Sequence, residues 1–166
     1  FLYDDIFFNI ILNKEIYLYQ AIANKEDIMD ILNVNKEILI DNDYAYYSII
    51  GYKNNTSKFK KFIYGDQLKK VFETGAEYFE KKRCKKWLSD DRNNSALRKA
   101  DLEWTSQYWK QRILDAGWKY WAIMMPDLQV GKMSLKPIIN DFKELGVTVE
   151  LFDDVELAYN WLSKQI

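Results

Sequence analysis

The stretch Lys85–Asn94, KKWLSDDRNN, joins a short apolar segment to a dense polar one. Trp87 and Leu88 are followed directly by the polar residues Ser89–Asn94. A buried strand that ends at the ligand-binding edge of an α/β sheet has this pattern. We therefore expect a central strand over residues 85–90, with a polar loop after it at an edge suited to binding.

The segments on either side alternate between helical and strand patterns. The clearest helix is Asp66–Lys82, where apolar residues recur at helical spacing and the small Gly75 and Ala76 would allow close approach to a sheet. The remaining predicted elements are strands at 37–40, 44–52, 118–125 and 147–152, and helices at 101–116, at 134–145 and from 153 onward. Repeated strand–helix–strand units imply parallel neighbouring strands. The sequence thus predicts an α/β fold with a mixed sheet of about five strands, an N-terminal antiparallel hairpin plus parallel strands, and about four helices.

Local signals predict where several of these elements begin and end. Asn54–Ser57 is rich in turn-forming residues and is expected to end the hairpin unit. Asp101 and Ser134 are expected to cap their helices, which would place Pro137 in a first turn, where proline is tolerated. Asp153–Glu156 has capping-box spacing and is expected to start the last helix.

Residues 1–35 carry the weakest pattern in the chain. Asparagines interrupt the segment repeatedly, and no long periodic run emerges from it. We interpret 1–35 as an N-terminal extension that packs on the domain or serves as an arm in self-association. Residues 36–166 are interpreted as the folded domain.

Composition limits the chemistry that this chain could perform. It has no histidine and one cysteine, Cys84, which excludes His-based triads, an intramolecular disulfide and thiolate zinc sites. A net charge of −1 argues against a general attraction to nucleic acid. No apolar run approaches the roughly 20 residues of a membrane span, and the start lacks the basic segment of a signal peptide. We expect a cytoplasmic protein that carries no cofactor.

Beyond these bulk properties, several short motifs occur in a characteristic order along the chain. They are Lys86–Asn93, Asp101 with Trp104, Ala116–Lys119 leading into Trp121–Ile123, Gly146–Val147, Phe152–Asp154, and Ala158 with Trp161 and Leu162. In this order and spacing the chain resembles the bacterial STAS/SEC14-type domains that are called SpoIIAA-like. The resemblance covers about residue 36 to the C-terminus. It implies a small α/β domain with a mixed sheet and no catalytic machinery, and relatives act as regulatory or ligand-sensing modules.

The same resemblance directs attention to a phosphorylated residue. Antagonists of the sigma-factor type carry a phosphorylatable Ser or Thr beside an Asp at a helix N-terminus. The nearest candidates in this chain, Ser89 and Ser95, lie outside that context. Members of the wider grouping bind nucleotides or lipids, so a small-ligand site is also implied.

Polar residues follow the predicted parallel strands. The aspartates concerned are Asp90, Asp91, Asp127, Asp153 and Asp154. They could gather along one edge and hold Mg²⁺, but aspartate is also favoured at turns and helix caps, which is the stronger interpretation. Arg92, with Asn93 and Asn94, could grip a phosphate or carboxylate, or could instead form an internal bidentate bridge that orders its own loop.

The chain contains six tryptophans. Trp87, Trp118, Trp121 and Trp161 are expected in the core. Trp104 and Trp109 are five positions apart on one helix, so both cannot easily point inward, and one of them could line an apolar pocket or a protein contact. Methionines near Pro126 would suit the mouth of such a pocket, namely Met124, Met125 and Met133.

Two further features have ordinary interpretations. Cys84 is expected to be a small buried thiol. Lysines and aromatic residues alternate over residues 58–64, a mixture that single-stranded nucleic-acid binders use, yet a solvated edge with aromatics covering the sheet is the preferred interpretation.

These observations support three hypotheses about function. The first is a non-enzymatic STAS-like domain that contacts a protein partner or a small ligand, with a homodimer among the expected assemblies. The second is a carrier or sensor of an apolar or lipid-like molecule, in a pocket walled by Trp109, Trp121 and Met124. The third is a metal-assisted hydrolase that uses the aspartate edge, although no residue is assigned as catalytic or as a metal ligand. The candidate binding residues are Asp90, Asp91, Arg92, Asn93, Asn94, Trp104, Trp109, Trp121, Met124 and Met133.

Overall fold

The computed structural model describes residues 36–50, 54–94, 96–125 and 130–166, with the backbone alone for 130–134. The chain divides into two units between residues 33 and 34, and all described residues belong to the second. The expected arm over 1–35 therefore lies outside the described residues, as do Ser95 and Asp127.

Six strands form one sheet and lie in it in the order in which they occur along the chain. The first three are antiparallel neighbours, and the last four are parallel neighbours, so β3 belongs to both sets. This confirms the predicted α/β class and mixed sheet. The strands are β1 (Lys36–Asp41), β2 (Ala45–Ile50), β3 (Asn54–Phe59), β4 (Lys86–Asp90), β5 (Tyr120–Met124) and β6 (Thr148–Phe152).

The strand that the sequence analysis missed is β3. Its first four residues, Asn54–Ser57, were expected to be a turn, but they form a strand between β2 and β4. Pairing on both sides satisfies the backbone, and neighbouring side chains satisfy the hydroxyls. The Thr56 and Ser48 hydroxyl oxygens lie 2.8 Å apart. Tertiary pairing thus outweighs the low strand preference of asparagine and serine.

Four helices connect or follow the parallel strands. They are α1 (Asp66–Lys82), α2, α3 (Val130–Glu144) and α4 (Val155–Ser163). The second of them, α2, consists of the α-helical Lys99–Trp104, a π-helical turn Thr105–Trp109 and the α-helical Lys110–Asp115. Side chains of α1, α2 and α3 share one core cluster with one face of the sheet, whereas α4 packs on the opposite face.

Three predicted helix starts are wrong in detail. Helix α3 begins before Ser134, so Ser134 is not its cap and Pro137 lies inside the helix. Asp101 lies inside the first turn of α2, where its carboxylate accepts the Gly65 N–H at 2.8 Å and so ties α2 to the start of α1. The cap of α4 is Asp154, which accepts the Leu157 N–H at 2.9 Å; this is one residue later than the capping-box spacing suggested.

The core on the side of α1–α3 is the larger of the two. Its fully buried members include Tyr47, Phe79 and Ile113, while the α4 side is a smaller group built on Leu88 and Leu162. Cys84 is buried in the larger cluster, as a small buried thiol would be. None of the described helices combines the length and apolar character that crossing a membrane requires.

The expected close approach of α1 to the sheet occurs at Gly75. A Cβ atom added there would lie 2.8 Å from the Tyr47 hydroxyl oxygen, closer than real Cβ atoms come. We expect Gly75→Ala to lower the free energy of unfolding by roughly 1–3 kcal/mol, because overpacking outweighs the helix-propensity gain of about 1 kcal/mol. Urea unfolding of the two proteins measures the difference.

A second substitution tests whether the loss of stability comes from the contact with Tyr47 or from any change of sequence in α1. In a Tyr47→Phe background the hydroxyl is gone, so Gly75→Ala should cost measurably less than in the wild-type protein. Thr74→Ala, a half-buried change on the same helix, serves as the matched control. A Gly75→Ala protein as stable as the wild type would show that the contact with Tyr47 is unimportant, and the same loss in both backgrounds would show that the hydroxyl is not the cause.

Candidate functional site

A cavity of about 60 Å³ lies between the sheet and helices α1–α3, and seven of its fifteen described lining residues are aromatic. One water molecule requires roughly 10–15 Å³ of such space, so the cavity has room for a group larger than water. Its lining residues are Ser57, Phe59, Phe72, Trp87, Ser89, Asp91, Asn94, Leu97, Thr105, Trp109, Trp118, Trp121, Leu135, Ile138 and Phe142.

Strand alternation explains which residues of β4 and β5 reach this cavity. Trp87 and Ser89 are two positions apart, so they share a face, and Trp87 pairs directly with Trp121 on β5. Met124 is three positions after Trp121 and therefore faces the other way. It is buried in the cluster beneath α4. The predicted pocket wall of Trp109, Trp121 and Met124 is thus correct for the two tryptophans and wrong for Met124.

Four of the lining residues are tryptophans. The ring centroid of Trp118 lies 5.4 Å from the centroid of Trp87, 5.8 Å from that of Trp109 and 4.9 Å from that of Trp121. Each of the four indole N–H groups donates to an acceptor in the protein. The pairs are Trp87 to Ser57 Oγ at 2.9 Å, Trp109 to the Phe72 carbonyl at 2.8 Å, Trp118 to the Tyr120 carbonyl at 3.1 Å and Trp121 to Ser89 Oγ at 2.8 Å. The rings are therefore held in place, and they present carbon surface rather than N–H donors to the space between them.

Asp91 is the one acidic residue among the described lining residues. Its side chain is buried, and the Ser89 hydroxyl donates to its Oδ2 atom at 2.9 Å. The pKa of Asp91 is raised to about 7: burial is the main cause, the hydrogen bond from Ser89 opposes it, and the nearby Asp90 carboxylate adds to it. The same Ser89 hydroxyl accepts from Trp121, so an indole, a hydroxyl and a carboxyl group form a chain along the cavity wall.

The loop after β4 is ordered by its own polar side chains. Arg92 binds Asp90 through two hydrogen bonds, of 2.8 and 2.6 Å, which is the internal bidentate bridge that the sequence left open beside a ligand grip. The Asn93 amide donates to the Phe59 carbonyl at 3.1 Å, and Asn94 Oδ1 accepts the Ile63 N–H at 2.9 Å. These contacts fix the segment that carries Asp91 to the segment that follows β3.

The two tryptophans of α2 both lie toward the core, contrary to the expectation from their spacing. Trp109 is buried and lines the cavity, while Trp104 is half-buried and packs against the edge of the same core cluster. The π-helical turn between them is the reason, because it closes with a hydrogen bond from the Lys110 N–H to the Thr105 carbonyl and adds a residue to that turn. Trp104 is absent from the cavity lining, and Lys69 Nζ lies 5.7 Å from its ring centroid.

The aspartates that follow the parallel strands do not form a metal site in the described part of the chain, where no group of three or more metal-ligating side chains occurs. Asp90 is engaged by Arg92, Asp91 lines the cavity, and Asp153 and Asp154 are exposed, with Asp154 capping α4. The capping interpretation thus holds for Asp154, and Asp127 lies outside the described residues.

The basic–aromatic segment 58–64, at the end of β3, does not form one patch. Phe59 is buried and lines the cavity, whereas Phe62 and Tyr64 are about half exposed, at 49% and 50%. Lys60 is paired with Asp41 at 2.7 Å, and the Arg98 guanidinium stacks 3.7 Å from the Tyr64 ring centroid. These charges are engaged by the protein's own side chains.

Several cavity residues were not identified as site residues from the sequence. Phe72, Trp118 and Phe142 were read only as core or as part of a helical stripe, and Ser57 as part of a turn. Ser89 could have been found, because it shares the alternation of Trp87 and sits two residues before Asp91. The side chain of Met133, expected at the pocket mouth, lies outside the described side chains.

Comparison of this chain with protein-family models, with curated proteins and with solved structures finds no match in any of the three.

Proposed function

We propose that this protein is a non-enzymatic small-ligand-binding domain, and that the tryptophan-lined cavity is where the ligand binds. The observation that carries the proposal is a space of about 60 Å³ walled by four tryptophans and a single buried carboxyl group. Ligand sites are typically apolar and aromatic concavities with a few polar groups that orient the ligand.

The position of the cavity supports this proposal as well. Asp91 and Asn94 follow β4, so the polar part of the wall lies where the parallel strands end, which is where α/β sheets commonly bind ligands. The resemblance to SpoIIAA-like domains implies that such binding serves regulation or sensing. An apolar or lipid-like ligand group would suit the carbon surface of the rings.

A cavity-filling substitution tests the proposal. Leu97 is half-buried and lines the cavity, so Leu97→Phe places a ring in that space. We expect it to weaken binding of a compact apolar probe, 3,3-dimethylbutan-1-ol, by about tenfold or more, which corresponds to about 1.4 kcal/mol. Titrations are followed by tryptophan fluorescence and by the indole N–H resonances. Native mass spectrometry of protein purified without added ligand detects any molecule that it retains.

The matched control is Leu114→Phe. Leu114 is also half-buried and packs against the same core cluster, but it does not line the cavity. It should leave binding of the probe within about threefold of the wild type. If both variants bind as the wild type does, or if the wild-type protein binds no probe, the cavity is not a ligand site.

Contact with a protein partner, including a second copy of this chain, is the second candidate function. The observation in its favour is the pair of half-exposed rings Phe62 and Tyr64, whose centroids are 6.0 Å apart, beside Arg98 at the start of α2. Aromatic side chains and arginine are enriched at interfaces. Sedimentation velocity over a range of concentrations should show a dimer that Phe62→Ser weakens; a monomer throughout would exclude self-association.

A further inference from the structure

We propose that the cavity recognises a small organic cation, an amine or alkylated ammonium group, with the Asp91 carboxylate as its counter-ion and the tryptophan rings as its cage. This inference rests on the proposed ligand-binding function and names the chemical class of the ligand.

The setting of the Asp91 carboxyl group favours a cationic ligand. It is 8% exposed, and within the described residues the Ser89 hydroxyl is its one side-chain donor. No lysine or arginine is among the described lining residues, and the guanidinium of the adjacent Arg92 binds Asp90 instead. A buried carboxylate normally has a cationic partner, because an unpaired buried charge is costly. A cationic ligand would supply that partner.

The aromatic rings around Asp91 also favour a cation. Aromatic faces carry a negative potential that attracts cations, and cages of several aromatic side chains are a recurrent way to bind ammonium groups. Trp87, Trp109, Trp118 and Trp121 all line the cavity, with Phe59, Phe72 and Phe142 beside them. Their attraction for a cation is strongest where the cation is shielded from bulk water, and all four tryptophans of the lining are buried between the sheet and helices α1–α3.

The same wall disfavours anions and uncharged apolar groups. All four indole N–H groups already have acceptors in the protein, and the Thr105 hydroxyl donates to the Asp101 carbonyl at 2.7 Å. An anion would therefore meet few donors and an acidic group. An uncharged apolar group would fit the rings but would leave the carboxylate without a cationic partner.

Proton linkage provides a test that needs no variant. The pKa of Asp91 is raised to about 7, mainly by burial and in part by the adjacent Asp90 carboxylate. Asp91 is the only titratable side chain among the described lining residues. A bound cation favours the ionised carboxylate, so binding releases a proton below this pH. We expect the affinity for the cation to be about tenfold higher at pH 8 than at pH 6.

The experiment compares two probes of nearly the same shape, choline and 3,3-dimethylbutan-1-ol, which differ in charge. Titrations of wild-type protein and Asp91→Asn are followed through the indole N–H resonances of Trp118 and Trp121. The expected result is that choline binds and that Asp91→Asn weakens it by about 30-fold or more. Binding of the alcohol should change by less than about threefold.

The possible outcomes separate this inference from the proposed function. If the alcohol binds but choline does not, or if choline is insensitive both to Asp91→Asn and to pH, the cation inference is overturned and ligand binding stands. If neither probe shifts the indole resonances of wild-type protein up to about 50 mM, both proposals fail. Should Asp91→Asn not fold, the pH dependence of choline binding to the wild-type protein decides the question.

Discussion

Replacing Asp91 with asparagine is expected to make the protein more stable than the wild type at pH 8. In the wild type the free energy of unfolding should decrease between pH 4 and pH 8, and in Asp91→Asn most of this decrease should be absent. Burial raises the pKa of this carboxyl group from 3.8 to about 7 in the folded protein. Asparagine is uncharged and nearly the same shape, and it can still accept the hydrogen bond from Ser89.

Proton linkage explains why the free energy of unfolding of the wild type decreases as the pH rises. Between the unfolded and folded pKa values the folded protein holds a proton that the unfolded chain has released, so stability falls as the pH rises through this window and is level above it. Three pKa units correspond to about 4 kcal/mol, which is an upper limit for the effect. That is a large part of the roughly 5–15 kcal/mol that stabilises a typical domain.

Urea unfolding at half-unit pH steps provides the measurement, because the free energy of unfolding is obtained at each pH. The exposed Asp43 supplies the control: in Asp43→Asn the free energy of unfolding should change with pH as it does in the wild type. If the free energy of unfolding of Asp91→Asn still decreases between pH 4 and pH 8, another group titrates in this pH range. A stability that rises with pH in the wild type, with Asp91→Asn level, would mean that the ionised carboxylate is already well compensated.

The second large effect is expected at Trp118, which stands at the centre of the ring cluster. Its centroid lies within 6.5 Å of five other aromatic rings, those of Phe79, Trp87, Trp109, Trp121 and Phe142. Trp118→Ala removes the largest kind of side chain from a position that is 4% exposed. We expect a loss of about 3–5 kcal/mol in the free energy of unfolding, because hydrophobic burial and aromatic contacts are both lost and a void is left.

Trp161 provides a matched control for Trp118. It is half-buried on α4 and packs against Phe152 at 5.8 Å on the opposite face of the sheet. Trp161→Ala should cost clearly less, since less of the ring is removed from water by folding. Equal losses in the two variants would contradict a special place for Trp118. If Trp118→Ala binds the apolar probe as tightly as the wild type, the Trp118 ring stabilises the fold but does not contribute to ligand binding.

The elements that the sequence predicted well are those whose pattern is local. Helix α1 has its predicted bounds, Asp66–Lys82, and β4 lies within one residue of its predicted start. The close approach at Gly75 also follows from sequence, since only the absence of a side chain permits it. The strand that sequence reasoning missed depends on distant partners, because β3 is a strand through its pairing with β2 and β4. The start of α3 was also missed, since the helix begins before Ser134 and Pro137 lies inside it.

The candidate site shows the same division. By itself the sequence determined that Asp91 follows a buried strand, that four tryptophans lie on apolar patterns and that histidine chemistry is absent, because these depend on residue identity and short-range periodicity. Only the tertiary structure decided that Trp109, Trp118 and Trp121 meet around one cavity, that Met124 faces away from it and that Arg92 is engaged by Asp90. The pKa of Asp91 was likewise decided in three dimensions. Burial sets it, and burial comes from strands and helices that are far apart along the chain.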